Sequence, residues 1–354
     1  MKKTFLTLSI TLISCICLSQ SGKNTISKFD FIPGEKVIFY DDFTTETLGD
    51  FPLLWLTNGS GEIVTSSQFE GKWFQLTKTG YYIPEAKDKF TDIYTIEFDL
   101  VILGEGSSET STNIDLFFLS DDLANPSGGN QPGLSGLKIH PDYGTVFWNN
   151  WSEALEWQGD EGQVDYMFKT SAKYHIAFWV QKQRVRLYAN TEKILDLPRG
   201  LQANYIYNAF RIENYSEETT AIISNFRIAA GLPDMRNKLI TEGKLISYGI
   251  YFDVNSDKLK PESAATIKEI AQVLIDNPTI IITIVGHTDS DGDDASNLNL
   301  SKRRATSVKT ELTRVYGIDS SRMDTDGKGE SQPLAANENA LNKAKNRRDE
   351  FIKQ

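Results

Sequence analysis

The sequence predicts two domains, an all-β antiparallel sandwich followed by an α/β sandwich. Three observations lead there. From about Phe39 to Ala230, short runs that alternate apolar with polar residues are separated by Gly, Pro and Asn clusters, and no long helical pattern interrupts them. Beyond about Glu242 the pattern changes to strands alternating with amphipathic helices. Between the two, Pro233 and a polar segment with Arg236, Asn237, Lys238 and Glu242 read as a short linker. The boundaries that follow are 36–231 for the β region, 232–243 for the linker and 244–354 for the α/β region.

Residues 1–20 are expected to be a secretory signal. Lys2 and Lys3 give a basic start, and Phe5 to Leu18 is a mostly apolar run too short to cross a bilayer as a helix. Two endings stay open. Cleavage after Ser19 would leave Gln20 first, whereas Leu12-Ile13-Ser14-Cys15 resembles a lipobox in which Cys15 would be acylated and fix the protein in a membrane. Cys15 and Cys17 are the only cysteines, so a chain cleaved after Ser19 has no disulfide framework and must rely on its core.

In the β region, Thr95-Ile96-Glu97-Phe98-Asp99-Leu100 alternates as a half-buried strand should, and 113–119, 146–148, 175–180, 185–188, 210–213 and 222–228 read similarly. The stretch Tyr174-His175-Ile176-Ala177-Phe178-Trp179, its partner Arg184-Val185-Arg186-Leu187-Tyr188-Ala189-Asn190 and the closing Ile223-Ser224-Asn225-Phe226-Arg227-Ile228 resemble the laminin-G or concanavalin-like family. The resemblance implies a jelly roll. A transmembrane β-barrel is the rival, but its strands need an apolar band about 9–11 residues long. Here the runs are shorter, and Gln181-Lys182-Gln183-Arg184 puts charge near a strand centre.

In the C-terminal region the pattern gives a strand over 245–252 and a helix over 261–275, with Pro261 in its first turn and Ile267, Ile270, Ala271 and Leu274 at helical spacing. A β-branched strand over 280–285 follows. A second helix over 300–316 would bury Leu300, Ala305, Val308, Leu312 and Val315 and stop near Gly317. A strand over 322–325, a helix over 339–346 and a strand over 347–352 complete the order.

The net charge of −11 argues against nucleic acid as a partner, because an acidic chain gains nothing from phosphates. The three histidines, His140, His175 and His287, have no close spacing and suggest no zinc site; no cofactor is implied. His287 reads as a packed or capping residue. No Gly-x-Ser-x-Gly elbow, phosphate loop or reactive cysteine appears. Glu97-Phe98-Asp99 could begin a glycosidase strand motif, but Ile102 stands where a second glutamate is needed, and the pair reads as the wet face of an edge strand. The chain is therefore read as a non-enzyme.

The most informative stretch is Gly286-His287-Thr288-Asp289 running through an acidic loop into Asn297-Leu298-Asn299-Leu300-Ser301-Lys302-Arg303-Arg304-Ala305. A carboxylate at the loop start and a guanidinium about two turns into the helix can hold a zwitterion, the first taking an ammonium and the second a carboxylate. With Phe252-Asp253-Val254-Asn255, Gly317-Ile318-Asp319, the 327–333 segment and Asn346-Arg347-Arg348, this stretch closely resembles the OmpA-like peptidoglycan-binding family. The resemblance covers the chain from about Leu245 to its end and implies an OmpA-like α/β sandwich that binds the diaminopimelate of the cell-wall stem peptide. By position, Asp289 and Arg304 would hold its head group. Asn255 and Asn297 would hydrogen-bond the stem peptide, unless they are turn residues, and Arg348 would face the same pocket, unless Arg347 and Arg348 are a solvated strand end. Two departures stand out: Asn342-Lys343-Ala344 replaces the usual Gly-Arg-Ala, and Asp349 occupies a position that is usually apolar.

The resemblance implies a non-catalytic, outer-membrane-associated periplasmic protein, similar to OmpA family proteins of the Bacteroidota, that tethers its sandwich to peptidoglycan. An outer-membrane protein or a glycan would occupy the sandwich. Phe147-Trp148-Asn149-Asn150-Trp151 and then Trp157 concentrate aromatic residues; Trp148 reads as core, while Trp151 and Trp157 could form an exposed platform for a sugar or a partner. A carbohydrate-recognition protein is therefore the alternative, with a glycoside hydrolase behind it. The run Asp289-Ser290-Asp291-Gly292-Asp293-Asp294 also admits calcium, although it lacks the full EF-hand arrangement.

Overall fold

A computed structural model describes residues 29–354 except 78, 89, 104–111, 143 and 216–219. The expected signal, with Lys2, Lys3 and Cys15, lies outside the described residues. The β region begins with β1 (Lys36–Asp41), β2 (Trp55–Thr57), β3 (Gly61–Thr65), β4 (Lys72–Leu76), β5 (Gly80–Pro84), β6 (Ile93–Leu103) and β7 (Ile114–Ser120). It continues through β8 (Ser135–Asp142), β9 (Thr145–Ser152), β10 (Glu161–Asp165), β11 (Lys173–Gln181), β12 (Arg184–Ala189), β13 (Glu192–Leu197), β14 (Ala209–Asn214) and β15 (Thr220–Ala230).

These strands form two antiparallel sheets. One is ordered β13-β12-β11-β6-β15-β4-β3, with β1 also on β15; the other is β10-β9-β8-β7-β14-β5-β2. Alternation along each strand turns one side-chain set inward. From the first sheet Ile96, Phe98, Phe178 and Phe226 meet Phe118, Phe210 and Ile212 of the second, all fully buried or nearly so. The rings of Phe98 and Phe226 stack at 5.4 Å, and Phe118 meets Phe178 edge-on at 5.1 Å. This filled interior between two separate sheets, rather than one closed ring, is a sandwich architecture.

The C-terminal region is an α/β layer over its own core. It comprises α1 (Met235–Ile240), β16 (Lys244–Ser247), α2 (Ala264–Asp276), β17 (Ile282–His287), α3 (Asp294–Tyr316), β18 (Met323–Gly329), α4 (Ala340–Asn346) and β19 (Asp349–Lys353). The sheet is ordered β16-β19-β17-β18, with only β17 and β18 parallel. Ile267, Ile270, Ala271 and Leu274 of α2 and Ala305, Val308 and Leu312 of α3 cover Ile282, Ile284 and Phe351. Gly317 ends α3 in the left-handed conformation at φ 70°, as its position predicts.

Four differences from the sequence reading have local causes. The segment 232–243 is not a bare linker: Asp234 caps α1 by accepting from the Asn237 N–H, and Met235 and Leu239 are buried in the second core. The first C-terminal strand stops at Ser247, because Tyr248 to Tyr251 leave the sheet to meet the β region. Helix α3 starts at Asp294 rather than near Leu300, since Asp293 caps it by accepting from the Ser296 N–H. Val315, expected inside, is largely exposed.

The two regions touch directly. Ile32 packs on the C-terminal core while Phe31, in the same segment, packs on Tyr188 of the sandwich. Glu97 and Asp99 are not a wet edge: β6 is central, and both carboxylates lie on its outer face under the C-terminal region, only 2% and 5% exposed. The Tyr251 hydroxyl donates to Glu97 Oε2 at 2.5 Å, Arg227 Nη1 donates to its other oxygen at 3.2 Å, and the His175 ring sits 3.4 Å from Glu97 and 3.3 Å from Asp99. Burial opposes charge on His175, but the two carboxylates outweigh it and raise its pKa to about 9.

Candidate functional site

The site grows from a place where helix and sheet nearly merge. Gly286 and Gly327 are register partners on β17 and β18. A Cβ at Gly286 would lie 2.3 Å from the Ser301 carbonyl oxygen, and one at Gly327 would lie 2.4 Å from the Lys302 nitrogen. Two glycines thus let α3 rest on the strands, which fixes the position of Arg304 one turn further on.

The loop from Thr288 to Asp293 is held from within. Asn297 is buried, and its amide donates to the Asp289 and Asp291 carbonyls and to Glu330, at 3.3, 3.1 and 2.6 Å. With its N–H groups committed in this way, Asn297 organises the loop. Asp289 Oδ1 accepts from the Asp291 N–H at 3.0 Å, an Asx turn that aims the other oxygen, Oδ2, away from the loop.

That second oxygen meets Arg347 Nη1 at 2.5 Å. The same guanidinium reaches Asp42 of the β region with Nη2 at 3.3 Å and lies over the Tyr40 ring at 4.9 Å. Arg304 approaches from α3. Its Nε donates to the Ser256 carbonyl at 3.0 Å, its guanidinium lies over Phe252 at 4.9 Å, and neither terminal nitrogen has an acceptor among the described residues. Burial lowers the pKa of Arg304, opposed by the charges of Asp349 and then Asp289. Burial also lifts the Asp349 carboxyl to about 7, against the pull of Arg304 and Arg348.

Arg348 does not face this place, which corrects the expectation for it. It is buried and turned to the opposite side, where it donates to Glu350 and to the Asn346 and Gln332 carbonyls. The arginine of the pair that reaches Asp289 is Arg347, and alternation explains why: 347 and 349 share one side of the extended chain, 348 and 350 the other. Asn255 is exposed in a turn at φ 50°, beside the Ser256 carbonyl that holds Arg304, and has no hydrogen bond among the described residues. His287 is buried 3.7 Å from Glu350. Each acidic side chain of the loop has its own partner: Asp291 binds Lys343 at 2.6 Å and Asp293 caps α3. Among the described residues no three His, Cys, Asp or Glu converge on a metal position.

The expected aromatic platform does not form. Trp151 is fully buried, its ring fitted over Gly136 and covered by the 121–134 loop, whose Pro132 carbonyl accepts from its indole N–H at 3.2 Å. It packs with Phe117, Leu119 and Ala209 on the outer face of the second sheet, a small core that strand alternation alone does not reveal. Trp157 alone stays exposed, at 42%. Trp148 is only partly buried.

Residues 251–347 match the OmpA family. Over 111 residues the chain is 40% identical to outer membrane porin F of Pseudomonas aeruginosa, covering 31% of this chain and 32% of that protein. Over 103 residues it is 46% identical to outer membrane protein A of Bordetella avium, covering 28% and 52%. Among solved structures, the peptidoglycan-associated lipoprotein of Burkholderia pseudomallei is 27% identical, covering 34% of this chain and 98% of that one, with a TM-score of 0.29. The chain spans about a third to a half of the curated relatives named here. The glycine-supported loop and helix that carry Asp289 and Arg304 fall inside the matched segment, and the C-terminal part of this chain is an OmpA family domain.

Proposed function

We propose that this chain binds peptidoglycan noncovalently through its C-terminal region, 244–354, and tethers the β region, 36–231, to the cell wall. It would do so in the periplasm, associated with the outer membrane, as a protein without catalytic activity. The observation that carries the reading is the state of Arg304: it is half-buried and held by Ser256 and Phe252, yet neither terminal nitrogen meets an acceptor among the described residues. A guanidinium fork of that kind is suited to a carboxylate. The Asp289 carboxylate, close enough to oppose the lowering of the Arg304 pKa by burial, is suited to an ammonium, so the two charges complement a diaminopimelate head group. Asn255, in the turn beside Ser256, is left to meet the stem peptide. Relatives named as outer membrane proteins support the envelope part of this reading.

The two face-to-face antiparallel sheets support reading the β region as a laminin-G or concanavalin-like jelly roll that contacts an outer-membrane protein or a glycan. The test is co-sedimentation with purified sacculi. Asp289→Ala combined with Arg304→Glu should abolish it, with the fold intact by circular dichroism. Unchanged co-sedimentation would remove the mechanism.

A further inference from the structure

Arg347 stands between two carboxylates from different regions of the chain, and this arrangement gives the sandwich a part in wall binding. Asp289 has one oxygen bound to the Asp291 N–H, and its other oxygen is taken by Arg347. A ligand ammonium must therefore displace or share that guanidinium. In isolation Asp289 and Arg347 would cancel, and nothing negative would remain for an ammonium to meet.

Asp42 and Tyr40 change that balance. Asp42 is largely buried, is anchored by the Thr44 N–H and hydroxyl, and directs Oδ2 at Arg347 Nη2; the Tyr40 ring supports the same guanidinium. Two carboxylates thus share one cation and leave one negative charge over. Across the site Arg304 offers the matching positive charge, its terminal nitrogens meeting no acceptor among the described residues, while burial raises the pKa of the neighbouring Asp349 to about 7. One surplus of each sign is what a zwitterion requires.

We propose that Asp42, from the sandwich, is a positioning residue of the wall-binding site: it shares Arg347 with Asp289, 3.3 Å from the guanidinium against 2.5 Å, and by competing for that cation makes the Asp289 carboxylate easier for the ammonium of the ligand to take. This rests on the wall-binding reading above and extends it by making the site a product of both regions. The sandwich would then set the affinity as well as being carried by it.

The test is a double-mutant cycle on the full chain, read by calorimetric titration with a soluble diaminopimelate-containing stem peptide. Asp42→Asn should weaken binding about tenfold while Arg347 is present, because the guanidinium then settles wholly on Asp289. In an Arg347→Gln background the same change should have almost no effect. A merely structural role would give equal losses in both backgrounds, and that result, or no loss at all, would overturn the proposal. If Asp42→Asn fails to fold, Tyr40→Leu in the same two backgrounds removes the other support of the guanidinium and completes the cycle. Failure of the unsubstituted chain to bind the peptide would remove the wall-binding reading and this proposal together. Binding with equal losses would remove only this one.

Discussion

Two groups of charges lie where the two regions of this molecule meet, and they are built on opposite principles. Around Glu97, the Arg227 guanidinium, the His175 ring and the Tyr251 hydroxyl converge until both carboxylate oxygens are used. Around Asp289 and Arg304, a cation is shared between two acids, and the terminal nitrogens of a second cation meet no acceptor among the described residues. The first group is closed and holds the regions together. The second is incomplete by itself, which is what the wall-binding proposal rests on.

The sharpest way to break this comparison is to open the closed group. Glu97→Ala leaves Arg227 without a counter-charge under the interface and His175 with Asp99 alone, and should cost about 3–5 kcal/mol in urea unfolding. A loss below about 1 kcal/mol would show that the cluster does not hold the interface. The converse change, Arg304→Ala, should cost less than about 1 kcal/mol in the same assay yet weaken stem-peptide binding by roughly two orders of magnitude, since a charged, two-pronged contact is removed.

Proton linkage sharpens the contrast further. His175 has a folded-state pKa of about 9, above its ordinary value of 6.5, so its stabilisation is fully present below pH 6.5 and is lost as pH rises through 9. Stability against unfolding should therefore fall by about 3 kcal/mol between pH 6.5 and 10, and His175→Gln should flatten that slope. Asp349 has the opposite effect on the open site. Its folded pKa of about 7 lies above the usual 3.8, so it becomes charged beside Arg304 as pH rises through 7. Peptide affinity should fall about threefold from pH 6 to pH 8 as the new carboxylate competes for the guanidinium. Asp349→Asn should remove that dependence, and a slope that persists in the variant would assign it elsewhere.

Much of this was legible in the sequence because it is local. The alternation at 95–100, the helical spacing of Ile267, Ile270, Ala271 and Leu274, and the stop at Gly317 each follow from a few neighbouring residues. What escaped was set by partners distant in the chain. Trp151 is buried because a Gly- and Pro-rich loop folds back over it, and Glu97 is dry because Tyr251 covers it. The choice of Arg347 over Arg348 was recoverable from strand parity, with Asp349 on the same side. The contribution of Asp42, 305 residues away along the chain, was not.

The seam between the two regions also has a mechanical meaning. The 232–243 connector is wound into a helix whose Met235 and Leu239 are buried, Ile32 is packed on the far core, and Tyr251 is hydrogen-bonded across the junction. These contacts tie the two regions together at several points. If the wall-binding proposal holds, a pull on the sandwich would pass through them to the C-terminal region, and the protein would act as a bracket rather than a leash.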